Sequence, residues 1–132
     1  MFGLGKTKPP PIRSLIGEGV VVQGSLRFEE GLRIDGEVHG DVVAADGRSI
    51  LVVSEKARVH GKVSANHVII NGEVIGPVTC DELLELQPKA RITGDVRYQT
   101  LEMHQGAQVE GLLKPLKTAE KPTLILAASN DA

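Results

Sequence analysis

Two features of this sequence could bind a ligand: a short motif of glycine and lysine that could hold phosphate, and a set of histidines that could hold a metal. Gly3-Leu-Gly-Lys-Thr7 resembles the end of a phosphate-binding loop, in which backbone N–H groups and a lysine hold phosphate. Such a loop follows a strand and opens a helix, but here Met1 lies just upstream and the run Pro9 to Pro11 stands in place of the helix. The motif therefore predicts no nucleotide binding.

The histidines are His39, His60, His67 and His104. Histidine is a common metal ligand, and His39 and His60 each precede a glycine of the repeat described below, so we expect them to stack on adjacent coils. Exposed polar positions on a ladder of strands are the ordinary explanation for such residues. The sequence predicts no metal and no other cofactor.

Cys80 is the single cysteine, which excludes an internal disulfide. It shares the parity of Val74 and Val78, so we expect an inert buried thiol. An unpaired cysteine fits a reducing compartment, and the N-terminal stretch lacks a hydrophobic run long enough for a signal peptide or a spanning helix. We therefore expect a cytoplasmic protein.

These residues are set within one recurring heptad: two residues, Val or Ile, a polar residue, Gly, any residue, Val or Leu. Along Ile34 to Val42 the even positions are aliphatic or Gly and the odd positions are polar, which indicates strand rather than helix. The six copies are Val20–Leu26, Leu32–Val38, Ala57–Val63, Val68–Val74, Ala90–Val96 and Ala107–Leu113.

The spacing of the repeat predicts the fold. Six marker glycines, one per repeat, span 87 residues in five steps, a mean of 17.4 residues, which is typical of one coil of a parallel β-helix. With 41% hydrophobic but only 2% aromatic residues, the composition favours a narrow lumen of stacked aliphatic side chains. We therefore predict an all-β solenoid of about six coils. The markers are Gly24, Gly40, Gly61, Gly76, Gly94 and Gly111.

Three segments follow from these patterns: a flexible Pro-rich arm over residues 1–15, a β-helix polymerisation domain over residues 16–115 and a flexible tail over residues 116–132. The net charge is -2, with +3 on residues 1–17 and +1 on residues 114–132, which leaves -6 on the body between them. An acidic body is a poor partner for nucleic acid.

The ends of such a rod are coils whose backbone N–H and C=O groups lack a partner, and the sequence contains no evident capping helix or polar coil. Apolar open ends predict end-to-end self-assembly into a homopolymer. The alternative is that the two tails fold over the ends as caps. The predicted interface consists of apolar residues of the first and last coils: Val20, Val22, Leu26, Phe28, Leu101, Met103, Val109, Leu112 and Leu113.

The heptads, the arm that opens with Met1-Phe2 and the closing segment Ile92-Thr-Gly-Asp-Val-Arg-Tyr98 together resemble the bactofilins, over residues 15–115. The segments Leu101-Glu-Met103 and Gly106-Ala-Gln-Val-Glu-Gly-Leu112 add to the resemblance. It implies a right-handed, single-stranded parallel β-helix that forms filaments without nucleotide on the cytoplasmic membrane and places cell-wall or morphogenesis factors. It also implies a filament contact through an apolar residue of the last coil, matched here by Val109.

The N-terminal arm is the candidate membrane anchor. Met1, Phe2 and Leu4 could enter a bilayer while Lys6 and Lys8 face anionic head groups of the inner membrane. One arm should hold weakly, whereas a filament that displays many arms should attach firmly. The alternative is a disordered tail without a partner.

An enzyme is the rival prediction. Aliphatic residues and Cys80 recur every six residues from Val68 to Ile92, a period typical of hexapeptide-repeat acyltransferases and related trimeric hydratases. The phase fails on both sides of that run, and neither a histidine cluster nor a donor-binding loop is evident. The sequence therefore favours a structural protein without catalytic residues.

Overall fold

The computed structural model describes residues 10–116, apart from the side chain of Asp46. Within that range no residue is helical, and all the strand pairings are parallel. One sheet consists of six short strands: β2 (Val21–Gln23), β4 (Glu37–His39), β6 (Arg58–His60), β8 (Glu73–Ile75), β10 (Arg91–Thr93) and β13 (Gln108–Glu110). The other sheet consists of β1 (Ile12–Ile16), β3 (Leu26–Ile34), β5 (Val42–Val53), β7 (Val63–Ile70), β9 (Val78–Leu86), β11 (Val96–Tyr98), β12 (Thr100–Met103) and β14 (Leu113–Pro115).

Each coil of the rod has three faces. A short strand forms the first face, a glycine turns the chain, and a longer stretch of strand then folds over the second and third faces; β4, Gly40 and β5 form one such coil. The pairing of β5 with β7 shifts register between Val43 and Ile50, which marks the bend between the second and third faces. The six short strands correspond to six coils, so the predicted parallel β-helix is confirmed.

Inward side chains stack in columns along the rod axis. On the first face Val38, Val59 and Val74 lie in register and are fully buried, and Ile92 continues the column. Aliphatic side chains stacked in this way fill the lumen closely, which explains how the fold forms a core with few aromatic residues. The other columns include Leu26, Val42, Val63, Val78, Val96 and Leu113, and Ile16, Ile34, Val53, Ile70, Leu86 and Met103.

The marker glycines form a column of their own, and all six have a positive φ. At Gly94, where φ is +140°, an added Cβ would lie 2.5 Å from the carbonyl oxygen of Gly76, the marker of the preceding coil. Gly40, Gly61, Gly76 and Gly111 are set against the preceding marker in the same way. Gly24 belongs to the first coil and has open space where its Cβ would be. Glycine is thus required here both by conformation and by the close approach of successive coils.

The corners between the third and first faces alternate in length through most of the rod. Four residues separate the strands at 17–20, 54–57 and 87–90, whereas two residues separate them at 35–36 and 71–72. The longer corners protrude past the shorter ones, so the ammonium of Lys56 lies 3.4 Å from the carboxylate of Glu18, two coils away. The ammonium of Lys89 lies 2.8 Å from Glu55 in the same manner.

Strand β1 begins at Ile12, inside the stretch that the sequence analysis assigned to the arm. It pairs with β3, with Ser14 opposite Leu32 and Ile16 opposite Ile34. Residues 12–15 therefore belong to the rod. Their pairing was not expected because the preceding prolines, which cannot donate to a ladder, led us to extend the arm too far along the chain.

The glycine column can be tested by comparing Gly94→Ala with Gly24→Ala. Both substitutions place a side chain at a positive φ, which should cost roughly 1 to 3 kcal/mol. Only Gly94→Ala also forces a Cβ against the backbone of the preceding coil, so it should lower the free energy of unfolding by clearly more. Guanidinium denaturation followed by circular dichroism measures both, and equal losses would contradict the close approach.

Candidate assembly surfaces at the ends of the rod

The two ends of the described rod each present unpaired strand edges on all three faces. At the N-terminal end these edges are β1, β2 and residues 26–28 of β3. At the C-terminal end they are β12, β13 and β14, each paired on one side. Backbone N–H and C=O groups on such an edge are a template for another strand.

The N-terminal end exposes the tops of the inward columns. Val22 and Leu26 begin two of these columns and are half-buried, whereas Val20 lies at the preceding corner and is exposed. Phe28 differs from the expectation, because it is only 8% exposed and packs within the core. Its pairing partner is Ala44, whose small side chain leaves room for the ring.

The C-terminal end also exposes apolar side chains. Val109 and Leu101 are half-buried, and Leu113 is 41% exposed, although Val96 directly below Leu113 is fully buried. Met103 is also exposed, at the end of its column. These side chains have the inward position of core residues, but no coil formed by residues 10–116 lies above them.

Leu112 lies at the corner of the last coil and is 59% exposed. Its backbone N–H donates to the Asp95 carboxylate of the preceding coil at 3.1 Å. Earlier in the rod, the Lys62 N–H donates to Asp41 of its preceding coil in the same way. The Asp side chain thus fixes the corner of the following coil. Leu112 is therefore held outward at the rim of the end rather than over the lumen.

The sequence analysis missed four apolar residues at the N-terminal end. Ile12, Leu15 and Val21 are exposed, and Ile16 is half-buried at the top of its column. Ile12 and Ile16 share one parity of β1, a signal that could have identified these two; Leu15 has the opposite parity and Val21 lies on β2. The signal is weak because it covers only five residues beside the proline run.

The predicted membrane-binding residues lie outside residues 10–116 and are therefore not described: Met1, Phe2, Leu4, Lys6 and Lys8. In the part of the chain that is described, no helix has the length and apolar character needed to cross a membrane.

Histidines stack on the first face, as predicted. His39 and His60 occupy paired positions on β4 and β6, with ring centroids 5.0 Å apart and ring planes at 81°. Each has a glutamate nearby: His39 Nε2 lies 3.8 Å from Glu37, and His60 Nε2 lies 3.9 Å from Glu73. Arg58 lies between the two glutamates, 4.0 Å from Glu37 and 3.7 Å from Glu73. The charges on this face thus alternate in sign from coil to coil.

A groove of about 520 Å³ runs along the recessed corners. Its lining includes Glu18, Arg33, Asp35 and Lys56, and neither histidine nor cysteine lines it. A hydrogen bond from the Ser54 side chain, with help from Arg33, holds the pKa of Asp35 below its usual value. The groove follows from the alternating corner lengths, and its charged residues are engaged in the ion pairs of the corners.

Cys80 is fully buried in the lumen. Its Sγ lies 2.8 Å from the backbone carbonyl oxygen of Leu83 and 3.0 Å from that of Asn66, so the single S–H proton has two acceptors within reach. Burial raises the pKa of the thiol to about 11. The predicted burial of the cysteine is confirmed, and because the thiolate is the reactive form, the raised pKa favours the predicted inertness.

The family model for bactofilins, described as polymer-forming cytoskeletal proteins, matches residues 14–114, about three quarters of the chain. The chain belongs to the bactofilin family. The resemblance predicted from the heptads and the closing segment is thereby confirmed.

Curated relatives of this bactofilin come from Myxococcus xanthus strain DK1622. Bactofilin BacP is 26% identical over 98 residues, which are 74% of this chain and 40% of BacP. Bactofilin BacO is 26% identical over 98 residues, which are 74% of this chain and 75% of BacO. This bactofilin thus matches less than half the length of BacP.

A solved structure gives the same fold. A Thermus thermophilus bactofilin, reconstructed by cryo-EM as double helical filaments, aligns with this bactofilin at a TM-score of 0.63 and 32% identity. The alignment covers 76% of this chain and 98% of that one. This bactofilin is therefore a member of a polymer-forming cytoskeletal family with a β-helix known in filament form.

The pKa of Cys80 predicts its reactivity. With a pKa of about 11, roughly one thiol in a thousand is ionised at pH 8, and the thiolate is the reactive form. We expect the folded protein to resist a disulfide reagent such as DTNB at pH 8 and to react fully after unfolding in guanidinium. Rapid, stoichiometric reaction of the folded protein would contradict the burial of the thiol.

Proposed function

We propose that this chain is the subunit of a filament that forms without nucleotide by joining rods end to end. In this proposal the filament is tethered to the inner face of the cytoplasmic membrane by the N-terminal arm. There it acts as a scaffold for cell-shape or cell-wall factors. The observation that carries the proposal is the contrast between the ends of the rod, which are apolar and unpaired, and its sides, which are polar and internally paired.

The ends support assembly on two grounds. A second rod that meets the C-terminal end would cover Leu113, Met103 and Val109, and burial of each large aliphatic side chain contributes about 1.5 to 3 kcal/mol. The same contact would pair strand edges that have no partner among the described residues. Neither ground involves a bound nucleotide, and the sequence motif near the N-terminus lacks the setting of a phosphate-binding loop.

The sides of the rod expose fewer unpaired groups that a second subunit or a substrate could bind. Their charged residues alternate on the first face and form ion pairs across the corners. The bactofilin family is a structural, cytoskeletal one, which supports a non-enzymatic role over the acyltransferase or hydratase alternative.

The tether is argued from the composition of residues 1–8. A buried Phe2 or Leu4 contributes about 1.5 to 3 kcal/mol, and each lysine near an anionic surface about 1 kcal/mol. The ordering of one arm consumes much of that energy, so a free subunit should bind weakly. A filament presents many arms to the same surface, so binding should depend on assembly. Because every subunit repeats the same arm and coils, the proposed filament would offer partner proteins many copies of each binding site.

The end contact can be tested with Leu113→Arg and its matched control Ile75→Arg. Leu113 and Ile75 are both 41% exposed, but Leu113 lies on the C-terminal end and Ile75 on the side of the rod. Leu113→Arg, like Val109→Arg, should place a charge in the contact and leave folded short species in electron micrographs. Ile75→Arg should form filaments as the parent does.

Circular dichroism and size-exclusion chromatography establish that the variants are folded. Undiminished filaments from both Leu113→Arg and Val109→Arg would place the contact elsewhere. Loss of filaments in Ile75→Arg alone would indicate assembly through the side of the rod.

The membrane tether can be tested by deleting residues 2–8. The deletion should preserve filaments, because it leaves β1 intact, and should abolish co-sedimentation with vesicles rich in phosphatidylglycerol. A matched pair refines the test: Lys6→Gln with Lys8→Gln should weaken sedimentation, whereas Lys117→Gln with Lys121→Gln makes the same charge change in the other tail and should not. Continued sedimentation of the deleted protein would refute the tether.

A further inference from the structure

A second cluster of potential metal ligands lies at the C-terminal end of the third face, away from the stacked histidines. Glu85, Glu102 and His104 each offer a ligand atom, and these atoms all lie within 4.8 Å of one another. We propose that this cluster binds one divalent transition-metal ion of the zinc class. The proposal concerns the last two coils and does not depend on how subunits join.

The register of the strands assembles the cluster. Glu102 on β12 is paired directly with Glu85 on β9. His104 follows β12 at the start of the corner, and its N–H donates to the carbonyl of Leu86, which fixes its backbone beside Gln87. Because alternate residues of a strand share a side, Glu102 and His104 both project from the outer surface toward Glu85. The three residues therefore meet although 17 residues separate Glu85 from Glu102 along the chain.

The spacing of the atoms fits tetrahedral coordination. The His104 Nε2 lies 3.3 Å from the Glu85 carboxylate oxygen. Two ligand atoms bound to zinc at about 2.0 to 2.2 Å in a tetrahedron are separated by about 3.4 Å. These two groups thus lie close to the separation of two zinc ligands. The Gln87 amide donates to the same Glu85 oxygen at 2.5 Å, so zinc would share or replace this hydrogen bond. Glu102 is exposed, so its side chain can close the third position by rotation, and water completes the fourth.

The charges of the cluster also favour a cation. Like charges directly opposite each other on paired strands destabilise a sheet, and Glu85 and Glu102 are such a pair. Glu85 forms its ion pair with His104, whose imidazole is positive only when protonated. On the first face, by contrast, Arg58 separates Glu37 from Glu73. A divalent ion between Glu85 and Glu102 would supply the positive charge that an arginine supplies there.

The position of the cluster gives the metal a structural consequence. β12 is the last described strand of the third face and pairs only with β9. Bonds from one ion to Glu85 and to the pair Glu102 and His104 would fasten β12 to the body of the rod. Since Met103, the last residue of β12, lies between Glu102 and His104, the metal would also fix an apolar residue of the C-terminal end.

The experiment is zinc binding by the full-length protein at pH 7.5, measured by equilibrium dialysis with metal analysis. We expect one zinc per chain, and Co²⁺ used as a spectroscopic probe should give the intense visible absorption of a tetrahedral site. Glu102→Gln and His104→Gln should each weaken zinc binding by at least about tenfold. The matched control is the double variant His39→Gln with His60→Gln, which removes histidines from the first face and should bind as the parent does.

Thermal denaturation provides a readout of the structural consequence. Zinc should raise the Tm of the parent and of the control variant, because it binds the folded cluster, and should not raise the Tm of Glu102→Gln with His104→Gln. No zinc uptake by the parent at 100 μM free metal would overturn the proposal, as would binding by Glu102→Gln with His104→Gln equal to that of the parent. Loss of binding in the first-face control would likewise overturn it by placing the metal at His39 and His60. Filament formation, scored in parallel, reports on the proposed function separately.

Discussion

The close approach of successive coils at the glycine column is the constraint on which the rest of this structure depends. At Gly94 the backbone of one coil lies where a Cβ would meet the carbonyl of Gly76 in the coil below, and the same arrangement recurs along the rod. Because the backbones touch there, the coils stack in one register, and the inward valines and leucines fall into columns. The column thus sets the geometry of both the core and the ends.

The same stacking makes the ends of the rod chemically unlike its sides. In the interior each aliphatic residue is covered by the coils above and below it, as Val96 is covered by Leu113. At an end of the rod, within residues 10–116, one of these covers is missing, so a residue of core character such as Leu113 faces outward. The sides have few exposed aliphatic residues, because many outward positions carry charges that neighbouring coils neutralise. The proposed assembly through the ends would therefore draw on the residues of the repeat itself.

Much of the fold could be predicted from the sequence because the same repeated residues determine both the local backbone conformation and the packing of the core. The marker glycines and the inward parity of Val59, Ile70 and Val74 are set by one coil alone and were predicted correctly. Strand β1 was not, because it contains only part of a coil and follows prolines. The burial of Phe28 was not predicted either, because its position opposite Ala44 follows only from the register.

The cluster of Glu85, Glu102 and His104 could not be predicted for a related reason. No linear motif joins these residues, since the distance between them is one full coil and coil lengths in this chain vary. His39 and His60 were expected to stack because each precedes a marker glycine, which gives a common reference point. His104 lies at a corner, where insertions and deletions change the count of residues, so its neighbours follow only from the observed pairing.

The alternation of long and short corners has an evolutionary consequence. Lys56 reaches Glu18, and Lys89 reaches Glu55, across a recessed two-residue corner, so the unit that preserves these ion pairs is two coils rather than one. A duplication or deletion of two coils would restore the same corner partners, whereas a change of a single coil would bring two corners of equal length side by side. Bactofilins built in this way should therefore diverge in length more readily by pairs of coils. The last corner is long and lies beside another long corner, so a single coil should be gained or lost most readily there.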